Sequence, residues 1–372
     1  MRFIARPFTI AALLIASLFL ITTPAVAATE VRLVSTPHRL FDGTFRNDDL
    51  YFDLLPEGRL GKVVFTPPRG VRTWVIDPEL IDEITDMSDG YSIINDVKPE
   101  GEEVAQKFLK QLSLITTNQP VISLPFGNPD PKLAGQLAPS ELRFYSTYGK
   151  AILEAQLRRA VTAELGRSTG KSFATNPQKS QYTKARQAIS RLLTVVPESE
   201  LLPLRAQLGT LLSPKLNKYD RLYFYYHVGL AIEKVQSKLR IASGKYQLTS
   251  EKSKMPITLV NEFNAPVTVH VQLIPMSYRI SVEDIENVTI EPRSRLQLSV
   301  PFTVQAPGPT TIVAQLANHE GVLISKPAEL TVNATIIDSR VAWFTTSAGV
   351  LLLLAGIAQS LRRVRKAKHE NA

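Results

Sequence analysis

Short apolar runs and one amphipathic stripe mark the first third of the chain. Residues 73–76 form an apolar, β-rich run that ends in Asp77-Pro78, and proline at a first helical position predicts that a helix begins there. A second apolar run at residues 121–124 ends in a loop rich in Pro, Gly and Asn. The helix predicted over residues 102–116 has its apolar side chains on one stripe, formed by Val104, Phe108, Leu109, Leu112 and Ile115. This alternation of strands and helices predicts a reduced α/β domain over residues 28–139.

Longer helical patterns follow over residues 140–243, which we interpret as a helical extension of that domain. Residues 140–165 and 215–239 are the two long helix candidates. One face of the second candidate carries Leu222, Tyr226, Gly229, Ile232 and Val235. Its aromatic cluster at residues 223–227 would suit a sugar or a lipid if exposed, but aromatic packing on neighbouring elements is the favoured interpretation.

From residue 244 the apolar period changes from that of a helix to two. Along residues 267–273 the odd positions are apolar, and the even positions are Thr268, His270 and Gln272. Similar runs recur after short Pro-rich or Gly-rich turns, which is typical of a sandwich of antiparallel sheets. The pattern predicts an immunoglobulin-like or fibronectin III-like β-sandwich over residues 244–337.

The last apolar segment predicts a single transmembrane helix. Residues 341–361 carry no formal charge, and about 20 such residues are enough for a helix to cross a ~30 Å hydrocarbon layer. Trp343 and Phe344 stand where an interfacial aromatic would lie. A buried helix is the alternative. The basic tail, residues 362–372, predicts the cytoplasmic side through Arg362, Arg363, Arg365 and Lys366.

The amino terminus has the pattern of a secretory signal peptide. Arg2 and Arg6 precede a long apolar run, and Ala25-Val26-Ala27 supplies small residues for cleavage, so residues 1–27 are expected to be removed. An uncleaved anchor is the alternative, because the apolar run is long for a signal. Together the two ends predict a type I protein of the plasma membrane, with its ectodomain outside the cytoplasm.

Charge and cysteine content exclude several classes of function. Of the formal charge of +9, two positive charges belong to the signal and a net four to the tail, which leaves +3 for the ectodomain. Such a nearly neutral ectodomain gives no electrostatic footprint for nucleic acid. The chain has no cysteine, so it offers neither disulfides, nor thiol nucleophiles, nor thiolate metal ligands.

Three polar residues stand where α/β proteins place their sites, in the loops after the strands. These are Asp77, Asn128 and Asp130. Asp77 and Asp130 are the candidate catalytic pair, since a glycosidase needs two facing carboxylates ~5 to ~9 Å apart. The favoured alternative is structural, because Asp-Pro before a helix is a common cap and Asn-Pro-Asp-Pro a common turn.

No metal or cofactor site is predicted. The five histidines, at 38, 227, 270, 319 and 369, are widely separated, whereas a histidine-based metal site needs closely spaced ligands. Asp48 and Asp49 are explained as a helix cap and a first-turn acid. Gly170-Lys171-Ser172 lacks both the spacing and the preceding strand of a phosphate-binding loop, which indicates a surface loop.

Several segments also carry a family resemblance. They are PHRLFDGTFRNDDL, EGRL, WVIDPELIDEI with DGY, VISLPFGNPD and the later YQLTSEKSKMPITLVNEFNAPVTVHVQL. In these segments the chain resembles the DUF6049 family of actinobacterial envelope proteins. The resemblance implies a central (β/α)-type domain like that of polysaccharide deacetylases and glycosidases, although the family has no established activity. Members are often about twice as long, and residues 28–139 are too few for a closed barrel, which needs roughly 200 residues.

The sequence therefore predicts an α+β multidomain protein: an incomplete β/α-barrel-like domain with added helices, a β-sandwich and one membrane span. The resemblance implies a role in the cell envelope linked to wall biogenesis. The favoured function is a non-catalytic interaction or scaffold protein that binds an envelope protein or wall polymer without a cofactor. One alternative is an envelope polysaccharide hydrolase or deacetylase-like enzyme that uses Asp77 and Asp130. Another is that a second chain completes the shortened sheet.

Overall fold

A computed structural model of the chain describes residues 29–167, 169–335 and 339–369. It divides into two compact units. Unit 1 takes in the residues up to Phe173 together with Leu212–Asn217, and unit 2 takes in Ala174–Leu211 and the residues from Lys218 onward. The predicted signal, residues 1–27, lies outside the described residues. The predicted domain bounds stay predictions.

Unit 1 is built on a parallel sheet whose four strands lie in chain order. The strands are β1 (Thr29–Leu33), β2 (Arg72–Ile76), β3 (Val121–Ser123) and β4 (Thr162–Ala163). Helices connect each strand to the next. They are α1 (Asp49–Leu54), α2 (Arg59–Phe65), α3 (Pro78–Ser88), α4 (Glu102–Thr116), α5 (Pro131–Leu137) and α6 (Pro139–Leu157), with a short 3-10 turn at Ile94–Asp96.

The core of unit 1 follows the predicted apolar pattern. The stripe on α4 is confirmed: Phe108 and Leu112 are fully buried, and the other three members pack against the same core. Trp74 on β2 is the largest fully buried side chain. The helix predicted after Asp77 is also confirmed, since α3 begins at Pro78.

Two details of unit 1 differ from the prediction. The helix predicted over residues 140–165 ends at Leu157, where Arg158 adopts a left-handed conformation with φ of 52°. A fourth parallel strand, β4, then follows. Asp48 precedes α1, but its side chain makes no cap. Its carboxylate instead accepts hydrogen bonds from the hydroxyl of Tyr91 and the backbone N–H of Glu100.

Unit 2 combines helices with two sheets. Its helices are α7 (Asn176–Leu192), α8 (Leu202–Gln207) and α9 (Lys218–Ser237), with 3-10 turns at Glu198–Glu200 and Leu208–Leu212. The strands are β5 (Leu239–Ile241), β6 (Gly244–Leu248), β7 (Lys252–Asn261), β8 (Val267–Pro275), β9 (Ile280–Val282), β10 (Ile285–Ile290), β11 (Ser294–Val304), β12 (Gly308–Ala317) and β13 (Ala328–Ala334). The sheet orders are β10-β8-β12-β13-β6 and β5-β7-β11-β9. The predicted alternation on β8 is confirmed, since its valines and Leu273 are buried.

The last helix, α10 (Ser339–His369), covers the segment predicted to cross a membrane. Trp343 and Phe344 are exposed on it. Across the residues that the structure describes, no helix has both the length and the apolar character required to span a bilayer. The span over residues 341–361 stays a prediction. The described chain is thus a mixture of α and β structure.

Candidate functional site

The carboxyl edge of the parallel sheet in unit 1 gathers the predicted site residues. Because β1, β2 and β3 run parallel, the loops that follow Leu33, Ile76 and Ser123 leave from the same edge. In open α/β sheets this edge is where ligands bind.

Asp77 is buried and acts as the cap of α3. Its Oδ1 accepts the backbone N–H of Glu79 at 3.1 Å, and the backbone N–H of Gly127 also donates to this carboxylate. Burial raises the pKa of Asp77 above its ordinary value, and the nearby carboxylate of Glu83 acts in the same direction. The backbone donors oppose that shift. Asp77 is thus a desolvated carboxyl group that is held by main-chain hydrogen bonds.

Asp130 is buried and caps α5. Its Oδ1 accepts the backbone N–H groups of Lys132 at 3.0 Å and Leu133 at 3.3 Å, and its Oδ2 accepts that of Ser172 at 2.9 Å. The neighbouring Asn128 has a φ of 45° and exchanges hydrogen bonds with the hydroxyl of Thr169. Both oxygens of Asp130 are therefore used to join its loop to the segment around residue 172.

The two candidate carboxylates perform the same local task. Each caps a helix that begins with proline, and no described hydrogen bond joins Asp77 to Asp130. The main-chain donors account for both side chains without a substrate. The catalytic assignment of this pair stays a prediction.

A buried clasp lies between the loop after β1 and helix α3. Oε1 of Glu83 accepts the backbone N–H groups of His38 and Arg39, each at 2.8 Å. The guanidinium group of Arg39 forms ion pairs with Asp82 and Asp86. The clasp therefore fixes the loop to α3 through both backbone and side-chain contacts.

Charges in the clasp perturb one another strongly. Burial raises the pKa of Glu83, the repulsion of Glu79 adds to the increase, and Arg39 opposes it. The pKa of Arg39 rises above its usual range because the neighbouring carboxylates outweigh its burial. Within the described residues, Nε of Arg39 has no hydrogen-bond partner. The clasp thus has more carboxyl groups than cations. Arg39 and Glu83 are buried in it, whereas the side chains of Asp82 and Asp86 are 26% and 45% exposed.

His38 is buried in the same loop and is neutral at physiological pH. Burial lowers its pKa to about 4, and the positive charge of Arg46 adds to the decrease. Its Nε2 lies 3.4 Å from Oγ of Ser35, a long distance for a hydrogen bond. Arg59 donates to that Oγ at 2.9 Å. A reactive serine must be accessible, and Ser35 is only 9% exposed. The arrangement therefore supports loop structure rather than nucleophilic catalysis.

Sequence reasoning missed the clasp as a site. The acids of α3 at positions 79, 82, 83 and 86 share one side of the helix, and that spacing was a usable signal. Arg39 gave no comparable signal, because its partners lie more than 40 positions away in the chain. Across the described residues, no three His, Asp or Glu side chains converge as a metal site would require. The expectation of no metal and no cofactor stays an expectation.

The aromatic cluster of α9 is divided between core and surface. Phe224 and Tyr225 are buried, whereas Tyr226 is 65% exposed. The rings of Tyr223 and His227 lie 4.4 Å apart. The interpretation of this cluster as packing is thus correct for its buried members, and Tyr226 is accessible.

The predicted apolar face of α9 is wrong in part. Ile232 and Val235 are buried, but Leu222 is 58% exposed on the side opposite the core. Apolar residues occur all round this helix, so spacing alone does not reveal which side faces the core.

A model of a family of unknown function, DUF6049, matches residues 145–369. The chain belongs to the DUF6049 family. The predicted membership is confirmed. The matched part of this DUF6049 protein begins within α6 and includes α7, α9 and the strands of unit 2. The segments before residue 145 that also carry the resemblance lie outside the match.

Other comparisons add little for this DUF6049 protein. No curated protein matches it. A nematode MSP family member, WR4 of C. elegans, is 12% identical with a TM-score of 0.21, over 26% of this chain and 98% of that one. The native α2-macroglobulin of E. coli is 15% identical with a TM-score of 0.21, over 26% and 6%. The E. coli chaperone DraB is 11% identical with a TM-score of 0.20, over 26% and 55%. Likenesses this weak support no conclusion.

Proposed function

We propose that this DUF6049 protein is a single-pass, membrane-anchored envelope protein that acts outside the cytoplasm as a non-catalytic interaction or scaffold protein. The observation that supports this most is the use of both candidate carboxylates as helix caps. Asp130 has backbone donors on both of its oxygens. A catalytic carboxylate needs an oxygen that faces a substrate.

The anchoring part of the proposal rests on the sequence. The uncharged segment at residues 341–361, the basic tail after it and the leader at residues 1–27 favour a type I orientation in the plasma membrane. We propose further that unit 1 is an incomplete β/α-barrel-like domain, since its four parallel strands follow chain order. The two antiparallel sheets of unit 2 would then form an immunoglobulin-like or fibronectin III-like sandwich that stands next to the membrane.

One observation favours the alternative of an envelope polysaccharide hydrolase. A general acid needs a pKa near the working pH, and burial raises the pKa of Asp77 at the sheet edge. Asp77→Asn separates the two functions, because asparagine caps a helix about as well as aspartate but cannot transfer a proton.

The test incubates the full chain, in detergent micelles, with purified wall polymer and measures the release of reducing sugar and acetate. A scaffold gives no release above a heat-denatured control. If sugar or acetate is released and Asp77→Asn abolishes this release without changing the circular dichroism, the scaffold function is refuted and the hydrolase function is supported. A wall-polymer sedimentation assay on the same variants measures binding without catalysis.

A further inference from the structure

Helix α9 presents apolar side chains on two opposite sides. The side that faces the core of unit 2 carries Phe224, Val228, Ile232 and Val235. On the other side Leu222, Tyr226 and Leu230 follow at intervals of four residues and are 58%, 65% and 46% exposed. This exposed row spans about 12 Å of helix. A surface helix normally carries polar residues there, so the row is the kind of apolar surface that interaction sites use.

A cleft of about 300 Å³ lies beside this row, between α7 and α9. Ala185 of α7 and Val228 and Ile232 of α9 form its apolar floor, and Lys184 and Arg191 of α7 stand on its rim. Gly229 keeps the cleft open, because it places no side chain there. The cleft and the exposed row meet along α9, since Gly229 lies between Tyr226 and Leu230.

The charges at the cleft have one sign. Helix α7 contains four cations, Lys179, Lys184, Arg186 and Arg191, and no acid. Among the described residues, no carboxylate lines the cleft, and no ion pair includes Lys184 or Arg191. These two cations are seven residues apart, which is two helical turns or about 10 Å. A ligand with two negative charges at that separation would satisfy both.

We propose that the cleft between α7 and α9 docks an acidic amphipathic helix of a partner protein. Such a helix would place acids two turns apart against Lys184 and Arg191, and its apolar side chains on Leu222 and Tyr226. This inference rests on the proposed interaction role and specifies its partner. Charge complementarity selects an acidic occupant, because two cations line the cleft and no carboxylate among the described residues does. A flat lipid surface would not fill a concave cleft.

The test screens a displayed library of random 16-residue peptides against the full chain in detergent micelles. We expect enrichment of peptides with acids about seven positions apart and apolar residues on the adjacent face. The synthetic consensus should bind at least tenfold more weakly to Lys184→Glu/Arg191→Glu. It should bind unchanged to Lys245→Glu/Lys254→Glu, which alters net charge equally at exposed strand positions. Binding should also weaken as salt concentration rises.

Gly229→Leu is a second variant that does not depend on charge. A Cβ at this position would lie 3.5 Å from Nε2 of Gln181, an ordinary contact, so Gly229→Leu places its side chain toward the cleft. Loss of peptide binding with unchanged circular dichroism is the expected result. Enrichment of basic or uncharged peptides, or equal binding to wild type and the charge-reversed variant, would overturn the proposal.

Two further outcomes would reassign the surface. Sedimentation that shows a dimer, dissociated by Leu222→Ser/Tyr226→Ser, would make the occupant a second copy. Flotation with vesicles of anionic phosphatidylglycerol, dependent on Lys184 and Arg191 and without peptide binding, would make it a lipid surface. Either result overturns the peptide site. The hydrolase test on Asp77→Asn is independent of all these readouts, so failure of this site and failure of the non-catalytic function can be distinguished.

Discussion

Replacement of His38 by glutamine tests the buried loop of unit 1 most directly. His38 is 6% exposed, and burial together with the charge of Arg46 lowers its pKa from 6.5 to about 4. Glutamine retains a polar side chain but has no proton to gain in this range. The backbone N–H of residue 38 still donates to Glu83 after the replacement.

The magnitude follows from linkage between protonation and folding. Between pH 6.5 and 4 the unfolded chain holds a proton on His38 that the folded chain lacks. The free energy of unfolding therefore falls as the pH falls through this window. A difference between pKa values of 6.5 and about 4 corresponds to about 3 kcal/mol, at ~1.4 kcal/mol for each pKa unit. This contribution is fully present above pH 6.5.

Urea unfolding of the full chain, followed by the fluorescence of Trp74, measures this effect in unit 1. Trp74 is fully buried, and the second tryptophan is removed by Trp343→Phe. The stability of wild type minus that of His38→Gln should fall by about 3 kcal/mol between pH 7.5 and 4. The raised pKa values of Asp77 and Glu83 act in both proteins, so their effects cancel in this difference.

The control is His319→Gln, because the side chain of His319 is 74% exposed. This replacement should change the stability reported by Trp74 by less than about 0.5 kcal/mol at pH 7.5, as expected for an exposed side chain. Parallel profiles for wild type and His38→Gln would refute the reasoning, since they would mean that the folded chain accommodates a charged His38.

Three further predictions concern the fold of each unit. Gly149→Ala should lower the free energy of unfolding by about 1–3 kcal/mol, because the new Cβ would lie 2.7 Å from Cγ of Pro78. Gly229→Ala should raise it by about 0.5–1 kcal/mol, because the new Cβ would make only an ordinary 3.5 Å contact with Nε2 of Gln181. Urea unfolding distinguishes the two signs. Asp130→Ala should lower the free energy of unfolding by about 1–2 kcal/mol. Asp130→Asn should recover only part of this loss, because the backbone N–H of Ser172 loses its acceptor. Full recovery would contradict the role of the second carboxylate oxygen. Arg39→Met should cost about 1.5–3 kcal/mol at pH 7.5, because the partly exposed carboxylates of Asp82 and Asp86 lose their charged partner. A change of less than about 0.5 kcal/mol in urea unfolding would contradict a stabilising role for these ion pairs.

Sequence patterns correctly predicted the elements whose structure depends on residues close to one another in the chain. The stripe on α4 and the alternation along β8 each bury one side of one element, so spacing alone identified them. Asp77-Pro78 marked the start of α3 because a cap and its proline are neighbours in the chain. Strand β4 was not predicted, because two residues are too few to show a hydrophobic period. The strand is defined by its pairing with β3.

Long-range contacts account for what the sequence left open. Glu83 and His38 are 45 positions apart in the chain, and the fold of the sheet brings them together. No local motif therefore indicates their hydrogen bond. The sequence did not reveal which side of α9 is exposed either. Tyr226 and Ile232 have similar apolar character, and only packing decides which of them is buried. The sequence correctly placed Asp77 and Asp130 in loops after strands. Their hydrogen-bond partners became visible only in the folded structure.

The two regions differ in whether their polar groups already have partners, and that difference indicates where a ligand would gain free energy. At the sheet edge of unit 1, Asp130 and Glu83 accept main-chain hydrogen bonds, and a ligand would have to break these to bind. At the cleft of unit 2, no ion pair among the described residues includes Lys184 or Arg191, and apolar surface is exposed beside them. A ligand there would not have to break an ion pair of Lys184 or Arg191. This difference supports our proposal of recognition at α7 and α9 over the alternative of chemistry at the sheet edge.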